Sequence, residues 1–235
     1  MANGEAHPYV GKDLEAMSFA RNYHHWILSL IRPYLNGSVC EVGAGVGSFS
    51  QLLLDCDIER LTAFEPSARM HAQLAEAIAG DPRAVAVNDF LTRDSAAEGF
   101  DTVVYVNVLE HIERDAEELC VARDTLRPGG NLVIFVPALP MLYSPLDKEI
   151  GHFRRYTRPG LERLVDEASL RRVTSRYLDV AGILPWYVNF VLLKRSIGGG
   201  TVSAYDRLVV PIMRRVEALL PMPLGKNVLL IANKR

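Results

Sequence analysis

The hydrophobic pattern divides the chain into short apolar runs and longer stretches of helical spacing. Residues 1–12 read as a loose tail with Gly4, Pro8 and Gly11. From Asp13 to about Leu30, Leu14, Met17, Phe19, Tyr23, Trp26, Ile27 and Leu30 recur at roughly three- and four-residue intervals. That spacing predicts one or two helices, closed near Pro33 and Asn36-Gly37. Apolar runs at about 38–42, 60–64, 84–87, Phe100 to Val106 and Asn131 to Val136 have the length of strands. Helices are expected between them at about 48–55, 67–79 and 113–125. Gly80-Asp81-Pro82 breaks the second, and Leu126-Arg127-Pro128-Gly129-Gly130 is a stop-and-turn signal after the third. The fourth run is nearly all apolar, as a parallel strand covered on both faces requires.

After Val136 the pattern changes. A loop rich in proline, tyrosine and charge (137–160) precedes a helix at about 160–169 and a strand at 171–178. An apolar run follows at 180–193, and a buried core helix is the first expectation for so short a run. A substrate wall, a dimer surface or an interfacial helix would also make use of it. Ser196 to Thr201, with three glycines, reads as a flexible link. A helix at about 204–219 precedes Pro221-Met222-Pro223 and a last strand, Val228 to Ala232. Alternating strands and helices predict a doubly wound α/β sheet, with ligands beyond the carboxyl ends of the strands.

Composition narrows the class. At 235 residues with 49% hydrophobic and 23% charged positions, the chain suits one globular domain with a substantial insertion. Cys40, Cys56 and Cys120 are too few and scattered for a disulfide frame or zinc cluster. With no leader-like or membrane-spanning run, a cytoplasmic protein is expected. The net charge of −2 hides an asymmetry: residues 1–150 carry 11 Lys+Arg against 22 Asp+Glu, and residues 151–235 carry 15 against 6. The basic C-terminal third either faces something anionic or packs against the acidic part.

The chemistry-bearing positions fall at the predicted strand ends. Val39-Cys40-Glu41-Val42-Gly43-Ala44-Gly45-Val46-Gly47-Ser48 is a strand, an acid and a glycine turn opening a helix, as a nucleotide-like ligand needs. Glu65 ends the second strand, Asn88-Asp89-Phe90 the third, and Asn107-Val108-Leu109-Glu110-His111-Ile112 follows the fourth. A dinucleotide-binding oxidoreductase would need glycine where Ser48 stands, so that reading recedes.

Taken in order, these motifs resemble class I S-adenosylmethionine-dependent methyltransferases over about residues 38–136. Gly151-His152-Phe153-Arg154-Arg155-Tyr156-Thr157 is similar to the G-H-x-R-R-Y-T segment of a bacterial subgroup associated with glycan or lipid biosynthesis. The resemblance implies a Rossmann-like seven-stranded sheet, with N-terminal helices and an inserted helical region before the last strand. It implies an N-terminal helical lid (1–37), a cofactor-binding core (38–136) and a substrate-facing part (137–235) with an insertion at about 179–226.

The same resemblance implies S-adenosylmethionine as cofactor and S-adenosylhomocysteine as product. Glu41, Gly43, Ala44, Gly45 and Gly47 would lie along the cofactor, with Glu65 on the ribose and Pro66 on the adenine face. Asp89 and Phe90 would meet the adenine, and Asn107, Val108 and Leu109 the cofactor's other end. Tyr23 would be a lid residue. His24 and His25 are adjacent and face different sides of a helix, and the histidines show no H-E-x-x-H spacing, so no metal is expected.

A hydroxyl acceptor benefits from a general base, for which His111 and His152 are the candidates. Tyr143, Arg154, Arg155 and Tyr156 would bind an anionic substrate group. For the arginine segment, an ion-pair network with Asp147 and Glu149 is the competing reading. The expected partner is a small or lipid-linked molecule, with membrane contact and a homodimer left open. Nucleic acid is not expected, because Asn-Val-Leu-Glu replaces an N-P-P-Y-type motif and no RNA-binding module is recognisable. N- or C-methylation of a small metabolite, methylation of RNA or protein, or cofactor binding without catalysis would also accord with these motifs.

Overall fold

A computed structural model describes residues 20–95, 99–195, 199–220 and 222–235. One seven-stranded sheet organises it, in the order β3-β2-β1-β4-β5-β7-β6. The strands are β1 (Ser38–Val42), β2 (Arg60–Phe64), β3 (Ala84–Val87), β4 (Phe100–Val106), β5 (Leu126–Pro137), β6 (Arg171–Leu178) and β7 (Asn227–Asn233). Neighbours from β3 to β5 pair in parallel, while β7 runs antiparallel to β5 and β6. The strand order reverses between β1 and β4, the switch point at whose carboxyl end such sheets bind ligands.

Helices cover both faces. They are α1 (Arg21–Ile31), α2 (Ser48–Leu54), α3 (Ala68–Ile78), α4 (Asp115–Thr125), α5 (Pro145–Glu149) and α6 (Arg158–Glu167). The insertion adds α7 (Ile183–Trp186), a π-helical turn (Tyr187–Leu192), α8 (Gly199–Leu208) and α9 (Val210–Leu219). One core cluster joins Val103, Tyr105, Leu132 and Ile134 to α4 and α6. A second joins Val39, Leu61, Val104 and Phe135 to α1 and α2. Alternate side chains of one strand therefore serve opposite layers, which is why Val103–Val106 of β4 and Leu132–Val136 of β5 are hydrophobic throughout.

Local chemistry fixes the helix starts. Ser67 accepts from the Met70 N–H and Thr157 from the Gly160 N–H. Ser144 and Asp147 form a reciprocal capping box at α5. Asp115, Glu117 and Glu118 crowd the first turn of α4, with Arg123 in its last, matching the helix dipole.

Four expectations need correction. Leu126–Gly130 is part of β5: pairing passes from Phe100–Leu126 to Thr102–Asn131 across an irregularity, so the glycines serve a bulge. The helix expected at 204–219 is two helices broken at Val209. Pro211 opens the second, because mid-helix it would lack a hydrogen-bond donor and clash, at a cost of about 3 kcal/mol. Gly199 to Thr201 belong to α8 rather than to a link, while 196–198 lie outside the described residues. The run 180–193 is not a buried core helix, since Leu184, Leu192 and Leu193 are exposed. Trp186 nevertheless packs against the first core cluster. The N-terminal lid is described only from Ala20 onward.

Candidate active site

The glycine turn brings three left-handed residues together: Gly43, Gly45 and Gly47 have φ of 67°, 58° and 85°. A Cβ on Gly43 would lie 2.7 Å from a Val108 methyl, so bare main chain is required there. The chain leaving β1 thereby lies directly against the chain leaving β4, and Ala44 is buried beside them.

Two carboxylates are buried under this turn. Glu65 Oε2 accepts from the Gly45 N–H at 2.9 Å and Oε1 from the Ser67 N–H at 2.8 Å. Burial raises its pKa, and the two N–H groups pull it back. Each oxygen keeps a further acceptor site, so a ribose diol fits without displacing the turn. Glu41 Oε2 accepts from the Ser50 hydroxyl at 2.5 Å, and burial pushes this carboxyl up to about 8. Asn88 Nδ2 donates to the carbonyls of Glu65 and Pro66, fixing the loop that carries Pro66.

The rim is open at one end and strained at the other. Asp89 and Phe90 are exposed, the Phe90 ring by 65%, and Asp89 Oδ1 accepts from the Phe90 N–H at 2.8 Å. Asn107 has φ 55° and donates its N–H to the Phe135 carbonyl at 2.8 Å. A left-handed non-glycine at a strand end costs on the order of 1 kcal/mol or more. It turns the chain into the 3₁₀ turn Leu109–His111, with Leu109 buried. Tyr23 is also buried, edge-on to Trp26 and Phe135, with its hydroxyl donating to Asn227 Oδ1 at 3.0 Å. It stands at this edge of the sheet as a wall.

Beyond the 3₁₀ turn lies a histidine pair. The His111 and His152 rings meet edge to face at 4.6 Å. Burial, then the neighbouring His152, hold His111 down at about 3, so its ring is neutral at ordinary pH. His152 Nδ1 lies 2.9 Å from Asp147 Oδ1, and its Nε2 lies 3.8 Å from Glu110 Oε1. Asp147 also receives the Ser144 N–H and hydroxyl and the Arg155 Nε–H and Nη2–H. Burial alone would raise this carboxyl, but His152, Arg155 and Ser144 together hold it below the usual range. An acceptor-only carboxylate at Nδ1 holds a ring proton there and turns Nε2 toward Glu110.

The arginine segment turns out to be largely inward. The Arg155 guanidinium is buried, paired with Asp147 at 2.8 Å and lying 4.4 Å from the Trp186 ring centre. Tyr156 donates to Asp115 Oδ2 at 2.8 Å, and its backbone pairs with Ala138. These two residues therefore brace the cluster, Arg155 through its ion pair with Asp147 and Tyr156 through Asp115. Arg154 pairs with Asp115 at 2.6 Å and stays one-third exposed. Tyr143 is exposed by 37% and donates to the His152 carbonyl at 2.7 Å. Both face the rim.

Sequence reasoning missed two features here. Glu110 stood in a motif without a role, although it is fully buried beside His152. Lys226 pairs with Asp179 at 2.9 Å and lies 5.3–5.8 Å from the rings of Tyr23, Trp186 and Tyr205. The Tyr205 hydroxyl donates to the same Asp179. These contacts join α1, the insertion and the start of β7, which no spacing along the chain reveals.

The comparisons with known proteins agree with this fold. The family model described as "Methyltransferase domain" matches residues 18–175. The chain belongs to the methyltransferase domain family. The methyltransferase is 29% identical over 173 residues to a tRNA U34 carboxymethyltransferase of Chromohalobacter salexigens, covering 61% of this chain and 51% of that one. It thus spans about half the length of that curated relative. A solved SAM-dependent methyltransferase from Archaeoglobus fulgidus shares its fold at TM-score 0.62 and 18% identity, over 94% of this chain and 99% of that one. The N-methyltransferase NodS from Bradyrhizobium japonicum, solved with S-adenosylhomocysteine, matches at TM-score 0.55 and 17% identity, over 92% and 87%.

The methyltransferase is an enzyme that uses S-adenosylmethionine. Its residues fit that cofactor: the Gly43 cradle has no room for a Cβ, and Glu65 is a preset double acceptor. When bound, the cofactor supplies an electrophilic methyl carbon on a sulfonium. The glycine turn, Glu65 and the Asn107 turn would hold it.

Proposed function

We propose that this methyltransferase acts on an oxygen of a small or lipid-linked biosynthetic intermediate that bears an anionic group. The observation that carries the oxygen assignment is the aligned Asp147–His152–Glu110 cluster. A hydroxyl must lose its proton as it attacks, and an imidazole oriented through Nδ1 by a buried carboxylate is placed to take it at Nε2. An acceptor that is already an oxyanion would have no use for such a cluster. Arg154 and Tyr143 at the rim would orient the anionic group.

The lipid-linked part of the reading rests on the insertion. Leu184, Leu192 and Leu193 are exposed beside Lys194 and Arg195. On α8 and α9, Leu208, Ile212 and Leu219 are exposed beside Arg207, Arg214 and Arg215. Arg214 and Arg215 also line a groove of about 360 Å³ with Asn22, Val210 and Pro211. Apolar residues interleaved with cations suit the boundary of an anionic bilayer, reached from the cytoplasmic side. Among the described residues, no helix is long and apolar enough to cross a membrane. The G-H-x-R-R-Y-T segment supports placement in the subgroup linked to glycan or lipid biosynthesis.

RNA is the second reading, favoured by the carboxymethyltransferase relative. One experiment separates the two. Labelled methyl groups from S-adenosylmethionine are followed into host extract, split into organic, small-aqueous and macromolecular fractions. Label in the organic phase is expected. Label in ribonuclease-sensitive macromolecules would replace the proposal with the RNA reading, and label confined to small-aqueous metabolites would remove its lipid part.

A further inference from the structure

We propose that Glu110, His111 and His152 form a binding site for one divalent first-row transition cation at the carboxyl end of β4. One carboxylate oxygen and one nitrogen from each ring lie within 4.8 Å of one another. Glu110 and His111 come from the 3₁₀ turn after β4, whereas His152 follows α5. The Phe153 N–H donates to the Glu110 carbonyl at 2.8 Å and fastens the two segments together. The three groups are thus gathered by the fold and stiffened there.

The spacing also admits coordination. His152 Nε2 and Glu110 Oε1 are 3.8 Å apart, beyond hydrogen-bond range. Two ligands at about 2.1 Å from one tetrahedral ion sit roughly 3.4 Å from each other. That pair is a few tenths of an ångström from this separation, and the full set, within 4.8 Å, draws in by up to about 1.4 Å around an ion. Behind His152, Asp147 Oδ1 holds Nδ1 at 2.9 Å, the carboxylate–imidazole arrangement that orients a ligating ring and fixes its tautomer. Arg155 and Asp147 cancel each other's charge in their 2.8 Å pair, so the negative charge offered to a cation comes from Glu110. Two imidazoles and one carboxylate select zinc-like ions over calcium or magnesium, and three protein ligands leave a position open.

That position adjoins the cofactor edge, since Leu109 and Val108 run from Glu110 to the glycine turn. An acceptor hydroxyl bound there would be acidified and its proton released to solvent, so His152 serves as ligand when the ion is bound and as the base described above when it is not. This role rests on the oxygen-acceptor reading above. The site itself does not.

The test therefore uses no methyl donor and no acceptor. The full chain, free of any polyhistidine tag and stripped with chelator, is titrated with Co²⁺ while its visible absorption is recorded. One equivalent is expected to bind with a ligand-field band, and Zn²⁺ should displace it. Glu110→Gln, His111→Ala and His152→Ala should each weaken binding at least about tenfold. His25→Ala, at an exposed position on α1, should bind as the unaltered chain does. Should a site variant fail to fold by circular dichroism, His152→Gln replaces it. Absence of a stoichiometric Co²⁺ band in the unaltered chain overturns the proposal, as does full-strength binding by the folded Glu110 and His152 variants. Stoichiometric binding with label found only in nitrogen- or carbon-methylated products would sink the oxygen reading and leave the site standing.

Discussion

Gly45 donates its N–H to Glu65 Oε2 at 2.9 Å, so the acid ending β2 and the turn ending β1 are joined before any ligand arrives. The carboxylate is preset, and no reorganisation is needed to present it. Replacing it by alanine removes charged acceptors worth about 1.5–3 kcal/mol each. Glu65→Ala should weaken S-adenosylhomocysteine binding on the order of a hundredfold, and Glu65→Gln by less, as read by calorimetry. Unchanged affinity in Glu65→Ala would remove this residue from the cofactor site.

Gly43 has no room for a methyl group. Gly43→Ala should destabilise the fold by about 2 kcal/mol or more, from the left-handed φ of 67° and the 2.7 Å approach to Val108. Combining it with Val108→Ala should recover the steric part alone. Urea unfolding of the two variants and the pair measures both portions.

Glu41 predicts a pH dependence of stability. Burial holds its folded pKa near 8, against about 4.3 in an unfolded chain. Below about pH 4.3 both states are protonated and the contribution is fully present. As pH rises to 8 the unfolded chain has lost its proton and the folded one has not, so stability falls, by on the order of a few kcal/mol. It levels off above that. Glu41→Gln should flatten the slope in unfolding midpoints measured from pH 5 to 9, and an unchanged slope would place the titration elsewhere.

Asp147 is the counter-charge for a buried guanidinium. Asp147→Asn should cost about 3–5 kcal/mol, because Arg155 is left buried without its anion. Arg155→Met in the same chain should restore part of that loss. A thermal-melt double-mutant cycle reads the coupling, and additive effects would show that the pair is not the source.

The core of this arrangement is legible in the sequence because its signals are local. Strands β2 and β3 fall where short apolar or β-branched runs place them, and Glu65 announces itself as an acid at a strand tip. The break between α8 and α9 was hidden because apolar spacing runs on through Pro211, and only the proline's missing donor interrupts it. The exposure of Leu184 and Leu192 was equally hidden, since hydrophobicity reports affinity for a partner without saying which. Asp147, Arg155 and Trp186 form a through-space stack whose members lie in three different segments, and Lys226 reaches Asp179 across the whole insertion. No periodicity encodes such contacts.

The two ends of the insertion are pinned side by side. Leu178 pairs with Asn227, the Lys226 N–H donates to the Asp179 carbonyl at 3.1 Å, and Gly225 lies so close to the Leu178 backbone that a Cβ would overlap it. Closing a loop on such a base costs only about 0.6 kcal/mol more for each doubling of its length. The segment between is therefore an exchangeable cassette. Lineages that lengthen, shorten or graft it to change the molecule's clientele must rebuild the places where Trp186 and Val210 pack into the core beneath.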